Sequence, residues 1–405
     1  MDLQVNLNSE VGCLRAVVLH RPGPELEQMT PATIHRALYS DLLSTEPAQK
    51  EYRQLEAVLE QVCKPFYIDD LLAETLQTQS QARRFVLEQV AESAQTAGLP
   101  IGLAEMNAEE LSRALIAGVR GTEFNPLYNL YFTRDIGVCF NQRSMPAHMA
   151  TQVRSREILI TETVYRFHPL FARNASHVNP WGQVPADTRL EGGDFQVAAP
   201  NVFVIGQGAR SNSNGVKAFI STKIKESEPF YVITQELPLE PESFIHLDMV
   251  FTFLSRTHCM AYKPLVMDKH RYATKLLKVE NGRVSETPFD TVFDALHSLG
   301  YDYTPIFCAG GDELYADRDQ WHSGANFFAF APGKIMGYGR NIHTIDALNK
   351  AGFEVVRAWD VAEGKVRVET EDENRPTVYT IESSELVRGG GGCRCMTMPV
   401  CREDL

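Results

Sequence analysis

The sequence predicts an α/β fold carrying a small helical insertion, and three observations predict it. Beyond residue 122, short apolar runs are separated by Pro, Gly and Asn turns, and helical stretches such as Phe289 to Leu299 fall between them. From about residue 70 to residue 120 the pattern is almost wholly helical. Strand pairs headed by polar residues begin at Asn129, Leu190, His246, Gly324 and Gly392, as if similar units aimed their leading ends at one centre. The chain therefore divides into a body, residues 1–69 and 123–405, and a helical insertion, residues 70–122.

Individual elements follow in order. Leu14 to His20 (LRAVVLH) reads as a buried strand stopped by the turn signal Arg21-Pro22-Gly23. Tyr52, Leu55, Leu59 and Val62 recur at helical spacing until Pro65 ends the pattern. Inside the insertion, Asn107 and Glu110 form a capping box ahead of Leu111 and Leu115.

Composition narrows the function classes. With 405 residues, 44% apolar and 22% charged, the chain is long enough to bury a large core. A formal charge of -13 gives no attraction to phosphate backbones or anionic lipid, so neither nucleic acid nor membrane is an expected partner. The opening MDLQVNLNSE is polar, and no stretch reaches the apolar length of a membrane span. A cytoplasmic enzyme is expected, and a homo-oligomer is compatible with all of this. Eight Cys at 13, 63, 139, 259, 308, 393, 395 and 401 are too sparse for a disulfide scaffold.

The segment Arg388-Gly-Gly-Gly-Gly-Cys393-Arg394-Cys395-Met396 is the most unusual local composition. Four glycines let a ligand or another backbone approach closely, and a thiol at the end of such a loop is placed to act as a nucleophile. Arg394 beside it favours thiolate. The alternatives are a flexible tail, or a metal site built from Cys393, Cys395 and Cys401, which lacks a second Cys/His pair at finger-like spacing. His246-Leu247-Asp248 heads an apolar strand, where alternation sends His246 and Asp248 to one face. Two more isolated acids stand out, Glu191 before Gly192-Gly193-Asp194 and Asp135 in Phe132-Thr-Arg-Asp135. A thiol, a histidine and several carboxylates are what nucleophilic attack on a cationic carbon needs. Cys308-Ala-Gly-Gly-Asp312 echoes the glycine pattern and is read as structural, and His20, His258 and His343 as core or surface residues.

Phe132-Thr-Arg-Asp135, Glu191-Gly-Gly-Asp194, His246-Leu-Asp248 and Cys395-Met-Thr-Met-Pro399, in this order and at these separations, resemble the arginine deiminases of the guanidino-group-modifying superfamily. SEVGCLRAVVLHRPGPELEQMTP near the start and QWHSGANFFAFAPG later resemble the same family, so the likeness covers nearly the whole chain. The resemblance implies a five-bladed, pseudo-fivefold ββαβ propeller around a central site, with the helical domain inserted after the first unit. It implies Cys395 as nucleophile, His246 as general acid and base, Glu191 as the partner orienting His246, and Asp135 and Asp248 as the acids that hold the guanidinium. Asn129, Arg154 and Arg210 match positions that grip the α-carboxylate, and Phe132 and Gly390 line the pocket.

The reaction so implied is hydrolysis of L-arginine to L-citrulline and ammonia through an S-alkylthiouronium, with no metal or organic cofactor. Alternatives are a relative that cleaves citrulline to ornithine, an amidinotransferase, and an inactive arginine-binding propeller. Keeping both Asp135 and Asp248 favours a cationic substrate over neutral citrulline, and keeping the thiol and imidazole argues against an inactive binder. Two places depart from the family pattern. Tyr39-Ser40-Asp41 stands where Phe-Asp-Asp is common, and Gly390 stands where some members place a gating Arg, with Arg388 two positions earlier.

Overall fold

The computed structural model describes residues 3–93, 102–122, 124–268 and 270–405. Five separate sheets organise it. Each contains an antiparallel pair whose inner strand also takes a parallel neighbour. Gly137–Phe140 and Arg143–Pro146 are joined by Ser176–His177, and Phe195–Ala199 and Val202–Gln207 by Phe230–Glu236. Phe251–Phe253 and His258–Ala261 take Thr304–Phe307, and Phe328–Ala331 and Lys334–Tyr338 take Thr377–Ile381. The fifth sheet pairs Met398–Arg402 with Leu14–Leu19, which then takes Lys64–Tyr67. Every strand pair expected from the sequence is therefore present. The hairpin Thr274–Glu280 and Arg283–Phe289 extends the second sheet, and Glu354–Arg357 edges the fourth.

Local chemistry explains the boundaries. Val17 and Leu19 face one apolar cluster while Ala16 and Val18 face the other, so Leu14–Leu19 is apolar on both sides because both sides are covered. The helix Thr45–Val62 buries Tyr52, Leu55, Val58 and Leu59. It ends before Pro65, whose ring disfavours helical backbone in the residue ahead of it. Pro65 then sits in the edge strand Lys64–Tyr67, where a missing N–H is tolerated.

The insertion is helical over Ile68–Thr78, Ser80–Ser93 and Ala108–Ala117, and residues 94–101 of the expected helical stretch lie outside the described residues. The expected capping box is formed: Glu110 N–H donates to Asn107 Oδ1 at 2.9 Å, and Asn107 N–H donates to Glu110 Oε2 at 3.0 Å. Leu72, Val86 and Leu115 of these helices share a cluster with Phe140, Phe195 and Phe203 of the sheets. The helix expected over Phe289 to Leu299 is shorter, Val292–Ser298, because Thr291 caps it by accepting the Asp294 N–H at 3.2 Å. Phe289 belongs to the preceding strand. Among the described residues, no helix is long and apolar enough to cross a membrane.

Candidate active site

The loops that lead into the strand pairs bring their polar residues together. Cys395, His246, Asp135, Asn129, Phe132, Arg154, Arg210 and Gly390 all line one cavity of about 30 Å³, with Leu38, Ile245, Met249, Gly389 and Gly391. Glu191 and Asp248, both fully buried, contact its lining residues His246 and Cys395. All ten residues expected at the site are thus in it or against it.

Each side chain is placed by its own loop. The Cys395 carbonyl accepts the Arg134 N–H at 3.0 Å, tying the thiol loop to the Phe132–Asp135 turn. That loop passes so close to Tyr131 that a Cβ on Gly389 would stand 1.8 Å from the Tyr131 hydroxyl. Gly193 is equally constrained, since a Cβ there would meet the His246 ring at 2.6 Å. The expectation that strand alternation aligns His246 with Asp248 is corrected. Leu247–Met249 is a 3₁₀ turn ahead of the strand Phe251–Phe253, and Asp194 holds it by accepting the Leu247 N–H at 2.8 Å.

The proton-handling groups form a chain. His246 Nε2 lies 2.9 Å from Glu191 Oε2, and Nδ1 lies 3.7 Å from Asp135 Oδ1. Burial works against charge on the imidazole, but Asp135, Glu191 and Asp194 outweigh it and raise the pKa to about 9. Burial likewise opposes ionisation of Glu191, yet Arg210, His246 and Arg154 hold it at about 2. Asp135, Glu191 and His246 place one ligand atom each within 4.8 Å of one another, the spacing of a metal cluster. Their surroundings fit a proton better, because Arg154 bonds Asp135 at 2.6 Å and Arg210 stands 3.8 Å from Glu191.

The thiol is held from two sides. Asn326 Nδ2 donates to Cys395 Sγ at 3.2 Å and to the Asp248 carbonyl at 3.0 Å, while its Oδ1 accepts the Arg394 N–H at 2.8 Å. Asp248 Oδ2 lies 3.7 Å from the sulfur. Burial, then Asp248 and Asp135, push the Cys395 thiol far above its usual range. Arg394 does favour thiolate as expected, but its guanidinium turns to Asp248 Oδ2 at 2.9 Å and to Glu10 at 3.1 Å, and burial wins. Cys308 is buried at another strand end, and all eight cysteines are free thiols.

Two charged atoms at the cavity have ion-pair neighbours but no hydrogen bond. Among the described residues, neither Asp135 Oδ1 nor Arg210 Nη1 has a hydrogen-bond partner, although both are buried. One is an acceptor and the other a donor, and such orphans mark where a ligand belongs. Asn129 and Arg154 are engaged: Asn129 Nδ2 donates to the Ala37 carbonyl at 2.9 Å, and Arg154 Nε donates to Glu157 at 3.0 Å. Sequence reasoning missed Asn326, Asp194 and Glu157. Asn326 sat inside the GANFFAFAPG segment, where a buried amide ahead of an apolar strand was its one signal.

The thiol, imidazole and acids sit in one buried cavity of a mixed α/β frame, and that frame is also represented among solved structures. SxtG, an amidinotransferase from Microseira wollei, matches with a TM-score of 0.56 at 12% identity, over 99% of this chain and 98% of that one. The N-terminal domain of ArgZ, an arginine dihydrolase from Cyanobacteria, matches at 0.53 and 12% identity, over 96% and 97%. The chain belongs to the arginine deiminase family, whose model matches residues 35–402. Relatives include the arginine deiminases of Limosilactobacillus reuteri, 30% identical over 100% of both chains, and Clostridium perfringens, 30% identical over 100% of this chain and 99% of that protein.

Proposed function

We propose that the protein hydrolyses L-arginine to L-citrulline and ammonia, with Cys395 as nucleophile and His246 as general acid and base. The observation that carries this reading is the orphan pair. Asp135 Oδ1 and Arg210 Nη1 make no hydrogen bond and have only the longer ion-pair contacts to His246 at 3.7 Å and Glu191 at 3.8 Å, and a substrate with a guanidinium at one end and a carboxylate at the other supplies a hydrogen bond to each. Asp248, beside the sulfur, takes the second guanidinium edge. Asn129 and Arg154 complete the carboxylate grip by exchanging Ala37 and Asp135 for substrate.

A guanidinium carbon is a poor electrophile because its charge is delocalised, so its plane must be pinned and a thiolate presented to its face. Burial, with Asp248 and Asp135, keeps the thiol protonated. An arriving cation neutralises the two acids and lowers the thiol pKa, so the thiol gives its proton to solvent water as the substrate docks. The C–S bond then forms, and His246, already protonated near neutral pH, gives its proton to the leaving ammonia. Neutral His246 next takes a proton from water, the hydroxide attacks the S-alkylthiouronium, and the C–S bond breaks to release citrulline.

A cavity of about 30 Å³ holds little more than one water, so entry requires the 37–41 segment to lift. That segment is held by Tyr39 Oη donating to the Tyr128 carbonyl at 2.7 Å and by the Asp41–Arg388 ion pair. The five similar sheets fit five blades around this pocket, with residues 1–69 and 123–405 as the propeller and 70–122 as its insertion. Free cysteines suit a reducing, cytoplasmic setting.

Purified protein supplied separately with arginine and citrulline tests the reading. Citrulline and ammonia in equal amounts from arginine are expected. Ornithine from citrulline with arginine untouched would overturn it.

A further inference from the structure

Behind Asp248 lies a buried charge network that the chemistry above does not use. Three guanidiniums, Arg134, Arg394 and Arg402, are at most 4% exposed, and they face two carboxylates, Glu10 and Asp248, at most 6% exposed. Arg394 joins the two acids: Nη1 donates to Asp248 Oδ2 at 2.9 Å, while Nη2 and Nε donate to Glu10 Oε1 and Oε2 at 3.1 and 3.2 Å. Glu10 Oε1 also accepts the Val197 N–H at 3.2 Å, and Arg394 Nη2 donates to the Phe195 carbonyl at 2.8 Å, so the pair is fixed to the strand Phe195–Ala199. Burial opposes charge on Glu10, but Arg394, Arg134 and Arg402 hold its pKa at about 2.

Without Glu10, three buried cations would stand behind the one acid that touches the thiol. Arg394 would then be free to neutralise Asp248 alone, and the pocket would lose its attraction for a cation. We propose that Glu10 is a specificity-determining positioning residue: through Arg394 it limits the positive charge behind Asp248 and so makes the pocket prefer a guanidinium to a neutral ureido group. The effect is electrostatic, and its sign differs from that of a packing defect. Loss of shape weakens every ligand, whereas loss of this charge weakens the cation selectively. A unit charge about 10 Å from a bound cation, at an effective dielectric of about 20, changes affinity by about tenfold or more.

The test uses full-length protein carrying Cys395→Ala, which permits binding without turnover, titrated by calorimetry with L-arginine and with L-citrulline. Adding Glu10→Gln is expected to weaken arginine about tenfold or more while citrulline changes less than about threefold. Glu10→Asp, which keeps the charge, should retain the preference. Equal losses for both ligands, or an unchanged ratio, overturn the inference. Should Glu10→Gln not fold, Arg394→Gln asks the same question with the opposite sign: the arginine-to-citrulline affinity ratio must rise, and a ratio that stays or falls overturns it. The inference rests on reading the pocket as a guanidinium site, and the two failures differ. A Cys395→Ala parent that binds neither ligand sinks both, whereas a parent that binds arginine with an unmoved ratio in the Glu10 variant sinks this one alone.

Discussion

Replacing Glu191 by Gln keeps the side chain's shape and removes one buried charge from His246. The rise of the imidazole from 6.5 to about 9 corresponds to about 3 kcal/mol. A base whose pKa is raised on folding stabilises the protein fully below its unfolded value, and that stabilisation is lost as pH rises through the folded value. The wild-type unfolding free energy should therefore fall by about 3 kcal/mol from this group between pH 6.5 and 9. Glu191's own depression from 4.5 to about 2 is set, against burial, first by Arg210 and then by His246; it acts in the acid window and overlaps the His246 contact, so the two are not added. Asp135 and Asp194 also raise the pKa of His246, so the variant keeps part of the effect. The expected flattening is about 1–2 kcal/mol across that window. Guanidinium denaturation at pH 6 and pH 9 measures it, and the alkaline limb of kcat/KM should move down by about one pH unit. Curves for variant and wild type that run parallel within about 0.5 kcal/mol would refute the assignment of Glu191 as the partner of His246.

Cys395→Ala should abolish citrulline formation while arginine still binds by calorimetry; normal turnover would mean that another cysteine, with Cys393 next in line, is the nucleophile. Asn326→Ala removes donors to the sulfur and to the Asp248 carbonyl together with the acceptor of the Arg394 N–H, which should cost about 2–4 kcal/mol in thermal unfolding and lower kcat by about tenfold or more. Gly389→Ala forces a Cβ to within 1.8 Å of the Tyr131 hydroxyl, so activity should fall at least about tenfold. Adding Tyr131→Phe should restore most of it, and a double variant as inactive as the single one would contradict the loop-packing argument.

The strand pairs were legible because apolar runs with polar leaders announce a buried hairpin whatever surrounds it. Cys395, His246, Glu191, Asp135 and Asp248 were legible as isolated reactive groups beside glycines or apolar strands. Their convergence was not, because no local rule brings residue 135 to residue 395; only the likeness to a family suggested it. Arg394 shows the limit most clearly. Adjacency in sequence placed its charge at the thiol, whereas the backbone sends the guanidinium to Glu10 and Asp248. Asn326 bonds the Cys395 sulfur and the backbone of two neighbouring loops, and Asp194 accepts the Leu247 N–H; residue type marks each as polar ahead of an apolar strand, but not which loop it reaches. The Leu247–Met249 turn escaped because its apolar residues mimic the start of the strand that follows.

The pairing of Met398–Arg402 with Leu14–Leu19 sets the order of events during synthesis. A ribosome delivers residue 14 long before residue 395, so the first strand must wait, its antiparallel edge unmatched, until the thiol loop emerges. A chain that stops short of residue 395 carries Asp135, Glu191, His246 and Asp248 but not Cys395, and under the proposed mechanism it turns over nothing until its last sheet closes.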